Sequence, residues 1–102
     1  MKWLEIIALR SGQNTRHQLQ EVLDTLREEA SQDPAMPQVR IYEHQALDGD
    51  YSIHLQHEGS QPDAHGSVPG MSIAESLRAF GLVNHHIWCE VQYNENLIKE
   101  TS

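Results

Sequence analysis

The chain has 102 residues and a formal net charge of −8, because 7 Lys and Arg are set against 15 Asp and Glu. This length is typical of one domain, and the charge disfavours nucleic acid or an anionic membrane surface as a partner. No apolar run approaches the roughly 20 residues that a membrane span needs. The single cysteine, Cys89, excludes an intramolecular disulfide. These features favour an ordered protein of the reducing cytoplasm.

The first strand is predicted over residues 2–10, which are almost continuously apolar. Such a run is typical of a central strand that is covered on both sides. Alternation divides it into two sets of side chains. We assign Leu4 and Ile6 to the face beneath the helices. The opposite face then receives Trp3, Glu5 and Ile7.

A helix is predicted next, because Thr15-Arg16-His17-Gln18 matches a capping box. Apolar residues follow at helical spacing until the helix ends before Asp33-Pro34. These residues are Leu19, Val22, Leu23, Leu26 and Ala30. The other side of the helix is rich in charged residues and is expected to face solvent.

Two alternating strands are predicted over residues 38–44 and 51–57, joined through the hairpin signal Asp48-Gly49. Each strand presents an apolar set and a polar set of side chains. The apolar set, expected beneath the helices, is Val39, Ile41, Tyr51, Ile53 and Leu55. The polar set is Arg40, Tyr42, His44, Ser52, His54 and Gln56.

Residues 58–70 form a polar connection, for which we favour a solvated loop over an active-site lid. A second capping box, Ser72-Ile73-Ala74-Glu75, predicts a short helix that ends at Gly81. The last strand follows over residues 81–93. Its inward set is Ile87, Cys89, Val91 and Tyr93, so Cys89 is expected to be buried. Its outward set is His86, Trp88, Glu90 and Gln92.

The predicted order is β-α-β-β-α-β, which is the ferredoxin-like arrangement of an α+β domain. Right-handed crossovers give a four-stranded antiparallel sheet in the order 4-1-3-2, with both helices on one face. We expect residues 1–93 to form this single domain and residues 94–102 to form a C-terminal tail.

The sheet face opposite the helices is the predicted functional site. Glu5 and His54 lie on its two central strands, and a carboxylate that orients an imidazole is a plausible general base. If the protein is an enzyme, we expect His54 to be the base and Glu5 its partner. A salt-linked pair that only satisfies polar groups in an interface is the simpler explanation, and we favour it. The ligand-binding residues expected around the pair are Trp3, Tyr42, His44, His86, Trp88 and Glu90.

Neither a metal nor an organic cofactor is expected. Imidazoles and carboxylates are available on this face, but they lack the short spacings of known metal sites. His85 and His86 are strand neighbours that point to opposite faces, so they cannot chelate one ion together. No Ser-His elbow is present, and Cys89 is expected to be buried, so nucleophilic catalysis is not indicated.

The element order, the length and the turn Arg10-Ser11-Gly12-Gln13 resemble the dimeric α/β-barrel superfamily. Its best-known branch is the antibiotic-biosynthesis monooxygenase type, and the resemblance covers residues 2–93. It implies a homodimer in which two sheets pair through their open faces, usually with the last strand and tail reaching across.

The superfamily includes cofactor-free oxygenases of polycyclic aromatics and enzymes that degrade haem. The resemblance would place an Asn on the first strand, a Trp near the end of the third and, for haem, a His on the second helix. On its first strand this chain has Glu5 and Ile7 instead, and its third strand ends in Gln56-His57-Glu58. Its second predicted helix contains no histidine. The oxygenase and haem chemistry is therefore not carried over.

Two functional hypotheses remain. The first is small-molecule binding in a cavity over the open sheet face of a homodimer, with monooxygenase-like or isomerase-like activity left open. The second is a non-catalytic interaction or regulatory module whose sheet face is an interface. RNA binding on the sheet is not expected, because the net charge is −8 and the centre of the face carries Glu5 and His54.

Overall fold

A computed structural model of the chain describes residues 1–60 and 62–91. The predicted positions of Gln92 and Tyr93 and the tail 94–102 lie outside the described residues. The elements, in chain order, are β1 (Lys2–Ser11), α1 (Arg16–Gln32), β2 (Gln38–Glu43), β3 (Asp50–Glu58), α2 (Val68–Leu77) and β4 (Gly81–Cys89). Short 3-10 turns precede α1 and follow α2.

The four strands form one antiparallel sheet in the order β2-β3-β1-β4. This is the predicted order 4-1-3-2 read from the other edge, so the sheet topology and the α+β class are confirmed. The arrangement is consistent with a ferredoxin-like fold. Gly49 lies in the β2–β3 hairpin at a φ of 89°, a conformation that favours glycine.

Both helices pack on the same face of the sheet and bury a single apolar core. Leu19 and Leu23 of α1 and Leu77 of α2 are almost fully buried there. They belong to one core cluster with apolar residues of the central strands. Those strand residues are Ile7, Leu9, Ile53 and Leu55.

The faces of β1 are the reverse of our prediction. Ile7 and Leu9 are 0% and 2% exposed, and Ile7 pairs with Ile53, which lies on the helix side. Leu4 and Ile6 therefore lie on the open face. The prediction was wrong because both sets of β1 side chains are largely apolar, so alternation alone does not choose between them.

Two further predictions are corrected. Helix α2 begins at Val68 with Ser67 as its N-cap, rather than at Ser72, since Pro69 is compatible with the first helical turn. Cys89 is exposed, because it lies at the end of β4. None of the helices in the described ranges is long and apolar enough to cross a membrane.

The reversed faces of β1 are tested by two alanine substitutions at neighbouring positions. Ile7→Ala should lower the free energy of unfolding by about 2–5 kcal/mol, because it leaves a cavity in the core. Ile6→Ala should cost only about 1 kcal/mol, because its side chain is half-buried on the open face. Urea unfolding, at concentrations where the chain is monomeric, measures both. A larger loss for Ile6→Ala would contradict the observed faces.

Candidate functional site

The feature that stands out on the helix side is a buried charge. Glu5 is 0% exposed, on a central strand and beneath the N-terminus of α2. Carboxylates are almost never buried without partners, because removing a charge from water is costly. The partners of Glu5 come from the end of β3, the start of α2 and the middle of β4.

The two carboxylate oxygens of Glu5 accept four hydrogen bonds. Oε1 accepts from Nε2 of His57 at 2.6 Å and from the Ser67 hydroxyl. Oε2 accepts from Nε2 of His85 at 2.7 Å and from the Ser67 backbone N–H at 3.1 Å. We call Glu5, His57, Ser67 and His85 the Glu5 cluster. Its central carboxylate is saturated, since an ionised carboxylate has about four acceptor positions.

This saturation decides the tautomers of both rings. An ionised carboxylate only accepts hydrogen bonds, so His57 and His85 must each carry a proton on Nε2. In the neutral imidazole, the other ring nitrogen, Nδ1, is then an acceptor. The Glu5 cluster therefore presents two imidazoles whose basic nitrogens point away from the carboxylate.

Two glycines make room for the carboxylate. A Cβ at either Gly66 or Gly70 would overlap Oε2 of Glu5, and Gly66 has a φ of 90°. Ser67 also caps α2, because its hydroxyl oxygen accepts from the Gly70 N–H at 3.0 Å. A negative charge beside a helix N-terminus is favourable. The loop before α2 is thereby tied to β1.

The pKa of Glu5 results from opposing effects. Burial raises the pKa of this carboxyl, but the hydrogen bonds from Ser67, His85 and His57 stabilise its ionised form. Together they outweigh burial and hold the pKa of Glu5 below its ordinary value of 4.5. The carboxylate is therefore ionised at neutral pH.

His57 connects the buried carboxylate to the surface. Its side chain is 12% exposed, and Trp3 stacks on the ring with centroids 3.8 Å apart and planes 8° from parallel. A cleft of about 620 Å³, the terminal cleft, lies at the end of the sheet beside it. Its lining residues are Lys2, Trp3, Leu4, Gln38, Gln56, His57, Glu58, Trp88, Cys89 and Glu90.

The geometry of the Glu5 cluster is that of hydrogen bonding rather than metal ligation. Two ligands of one tetrahedral zinc, each about 2.0–2.1 Å from the ion, lie roughly 3.3 Å apart. The nitrogen–oxygen distances in the cluster are 2.6 and 2.7 Å. Within residues 1–60 and 62–91, no group of three or more His, Cys, Asp or Glu is arranged to hold a metal ion.

The open face, meaning the side of the sheet opposite the helices, carries several of the predicted ligand-binding residues. Strand pairing places Ile6 between His54 and His86, and Leu4 beside Trp88. Tyr42 lies over His54, with ring centroids 4.8 Å apart. These aromatic and imidazole rings therefore share one face, as predicted.

Two aromatic side chains of this face, Trp88 and Tyr42, are 60% and 47% exposed. His54 is more enclosed, with Nε2 lying 2.9 Å from the Ser52 hydroxyl oxygen. Burial lowers the pKa of His54, so the neutral ring is favoured at physiological pH.

The predicted pairing of Glu5 with His54 is not formed. Glu5 points to the helix side, whereas His54 points to the open face, because its strand partner is Ile6 rather than Glu5. Trp3 is also on the helix side, stacked on His57. Both errors follow from the reversed faces of β1.

Two other predicted ligand-binding residues have local structural contacts. Nδ1 of His44 accepts from the backbone N–H groups of Ala46 and Leu47, at 3.0 and 3.1 Å. His44 therefore shapes the hairpin turn. Glu90 follows β4, and its backbone N–H donates to the Lys2 carbonyl at 2.9 Å. Glu90 also lines the terminal cleft.

The sequence-based prediction did not include His57, His85 and Ser67 in the site. One signal was available, since Trp3, Glu5 and His57 lie on strands predicted to be neighbours. Once Glu5 is placed on the helix side, the inward position of His57 on β3 becomes a candidate partner. Ser67 had no comparable signal, because its role depends on where α2 begins.

No protein-family model matches the sequence, and neither a curated protein nor a solved structure matches the chain.

The hydrogen bonds of the Glu5 cluster are expected to stabilise the folded state. Glu5→Gln replaces an acceptor oxygen with an amide donor that faces other donors, so the free energy of unfolding should fall by about 3–5 kcal/mol. Urea unfolding at pH 7 measures the loss. Glu75→Gln is the control, because Glu75 forms an exposed ion pair with Arg78 and should cost no more than about 1 kcal/mol. Equal losses in the two variants would show that the cluster does not stabilise the fold.

The lowered pKa of Glu5 also predicts a pH dependence. A carboxyl whose pKa is lower in the folded state stabilises the fold fully above its unfolded pKa. That contribution is lost as the pH falls through the folded pKa, which lies below 4.5. The stability difference between wild type and Glu5→Gln should therefore shrink as the pH falls below 4.5. A difference that persists unchanged to pH 2 would argue against an ionised Glu5.

Proposed function

We propose that this protein is a homodimer that pairs two sheets through their open faces and binds a small molecule in the cavity between them. The observation that carries the proposal is an apolar centre left uncovered on a sheet face. Strand alternation places Leu4, Ile6 and Ala8 there, each only partly buried. Leu82 and Trp88 extend this apolar area onto β4, with exposures of 73% and 60%. Such areas mark interaction or ligand sites.

The distribution of charge favours a second copy of this chain as the occupant. The whole chain has a charge of −8, and α1 alone contains four acidic side chains. On the open face and its ends, basic and acidic residues balance in number. They are Lys2, Arg10, Arg40, Asp50, Glu58 and Glu90. Two such faces can meet without the repulsion expected of the helix sides.

A cavity between two such faces would suit a small molecule. Ligand sites combine apolar walls with a few polar groups that fix orientation. His54, His86 and Tyr42 supply those groups around the apolar centre. The resemblance to dimeric α/β barrels supports the same assembly. An exposed, unpaired Cys89 suits a reducing compartment, and we propose a cytoplasmic location.

The alternative function is a non-catalytic interaction module that uses the same face. It is favoured by the exposure of Trp88 and Leu82 on β4, which is an edge strand. Exposed aromatic residues of this kind are common anchors in protein interfaces. In this case the face would be filled by side chains of the partner and would leave no cavity.

Light scattering tests the proposal. The wild type should have twice the chain mass of 11.6 kDa, about 23 kDa, and Trp88→Glu should raise the dimer dissociation constant at least about tenfold, because it places a charge in the interface. Val68→Glu is the matched control, since Val68 is 76% exposed and starts α2 on the helix side. A wild type of 11.6 kDa at every concentration would refute the homodimer.

A neutral fluorescent probe, N-phenyl-1-naphthylamine, then distinguishes the two functions. A ligand cavity predicts saturable binding with a fixed ratio of probe to dimer, and Trp88→Glu should abolish it. A dimer that does not bind the probe would support the interaction module instead.

A further inference from the structure

The Glu5 cluster contains a carboxylate bonded to imidazoles, the groups found together in many proton-transfer sites. A buried carboxylate fixes the orientation and tautomer of an imidazole, as in catalytic sites where a carboxylate orients a general base. Here Glu5 holds Nε2 of His57 at 2.6 Å, and the stacked indole of Trp3 covers one face of the ring. The ring is thereby held in one orientation, with Nδ1 as its remaining basic atom.

His57 differs from His85 in what its ring reaches. Both are bonded to Glu5 and have similar side-chain exposures, 12% and 16%. Only His57 lines the terminal cleft, and it also lines a second cleft of about 370 Å³ in front of α2. The second cleft is bordered by Met36, Ser67 and Pro69. Of the two imidazoles bonded to Glu5, His57 is therefore the one that borders these clefts.

We propose that His57 is a general base and acid that exchanges a proton with a small, neutral, planar molecule bound in the terminal cleft, with Glu5 as the positioning residue. Walls formed by Trp3, Leu4 and Trp88 favour a planar apolar molecule. The cleft is lined by one cation, Lys2, and by two carboxylates, those of Glu58 and Glu90. This balance disfavours an anionic substrate.

The step needs no oxidant and no cofactor. A C–H or O–H bond of the substrate breaks, its electron pair stays on the substrate, and the proton forms an N–H bond at Nδ1 of His57. Return of that proton to a different atom completes an isomerisation. The negative charge of Glu5 lies beside the imidazolium during the step, and its ionised state is maintained by Ser67 and His85.

This inference deepens the proposed function, because Leu4, Gln56 and Trp88 belong both to the open face and to the terminal cleft. The two remain separable. The cleft and the Glu5 cluster are formed within one chain. A wild type that is monomeric at every concentration and still transfers protons would therefore refute the dimer and retain the inference. A dimer without His57-dependent proton transfer would do the reverse.

The probe reaction is ring opening of 5-nitrobenzisoxazole, a neutral planar molecule. A base removes its C–H proton, the electron pair forms a nitrile, the N–O bond breaks, and a coloured phenolate is released. His57→Gln should lower kcat/KM by about 100-fold, which is a usual contribution of a general base. His17→Gln should leave kcat/KM unchanged, because His17 lies on the solvent side of α1. Urea unfolding and circular dichroism confirm that each variant is folded.

The readout specific to proton transfer is the pH profile. The wild-type rate should rise with pH, as expected of a general base, and this rise should be lost in folded His57→Gln. His85→Gln should retain more activity than His57→Gln, because His85 does not line either cleft. A wild-type rate no higher than that of free imidazole at equal concentration would overturn the proposal. A loss of less than twofold in folded His57→Gln would overturn it as well.

A measurement on the wild type covers the case in which the variants do not fold. Long-range proton–nitrogen NMR correlations distinguish the two tautomers of each histidine. We expect neutral His57 and His85 to carry their protons on Nε2, since both donate to Glu5. A neutral His57 protonated on Nδ1 would overturn the proposal, because the nitrogen that it requires to be basic would be occupied.

Discussion

The hydrogen bonding of the Glu5 carboxylate is the constraint on which the rest of this structure depends. One buried side chain joins β1 to the end of β3, to β4 and to the N-terminus of α2. Removing one partner of a buried charge typically costs about 3–5 kcal/mol, a large share of the stability of a domain this size. The cluster therefore holds together segments that are distant in the sequence.

This constraint also determines what the other face of the sheet presents. With Glu5 and Ile7 directed toward the helices, Leu4 and Ile6 must lie on the open face. An apolar centre there is flanked by His54 and His86. The chemistry of the chain is thus divided: the paired carboxylate and imidazoles are on the helix side, and the exposed aromatic rings are on the open side.

The two sides meet at one end of the sheet, at the terminal cleft. Trp3 and His57 reach this end from the helix side, and Leu4 and Trp88 reach it from the open side. A molecule bound on the open face near this end would contact a residue of the Glu5 cluster. This shared boundary joins the proposed binding function to the proposed proton transfer.

The element order and the sheet topology were determined by the sequence itself. Alternation in β2, β3 and β4 and the Asp48-Gly49 turn predict strands that the structure contains. The inward positions of Ile53 and Leu55 were also predictable, because polar residues separate them. The strands and the turn are specified by residues that are neighbours in the chain, and right-handed crossovers then determine the order of the strands.

The direction of β1 side chains and the composition of the site were decided only by the tertiary structure. Both sets of β1 side chains are largely apolar, so local pattern would place a carboxylate on the exposed side. Burial of Glu5 becomes favourable only when His57, Ser67 and His85 bring donors from positions 52 to 80 residues away. No local pattern contains that information, because the stabilising hydrogen bonds exist only after the segments have come together.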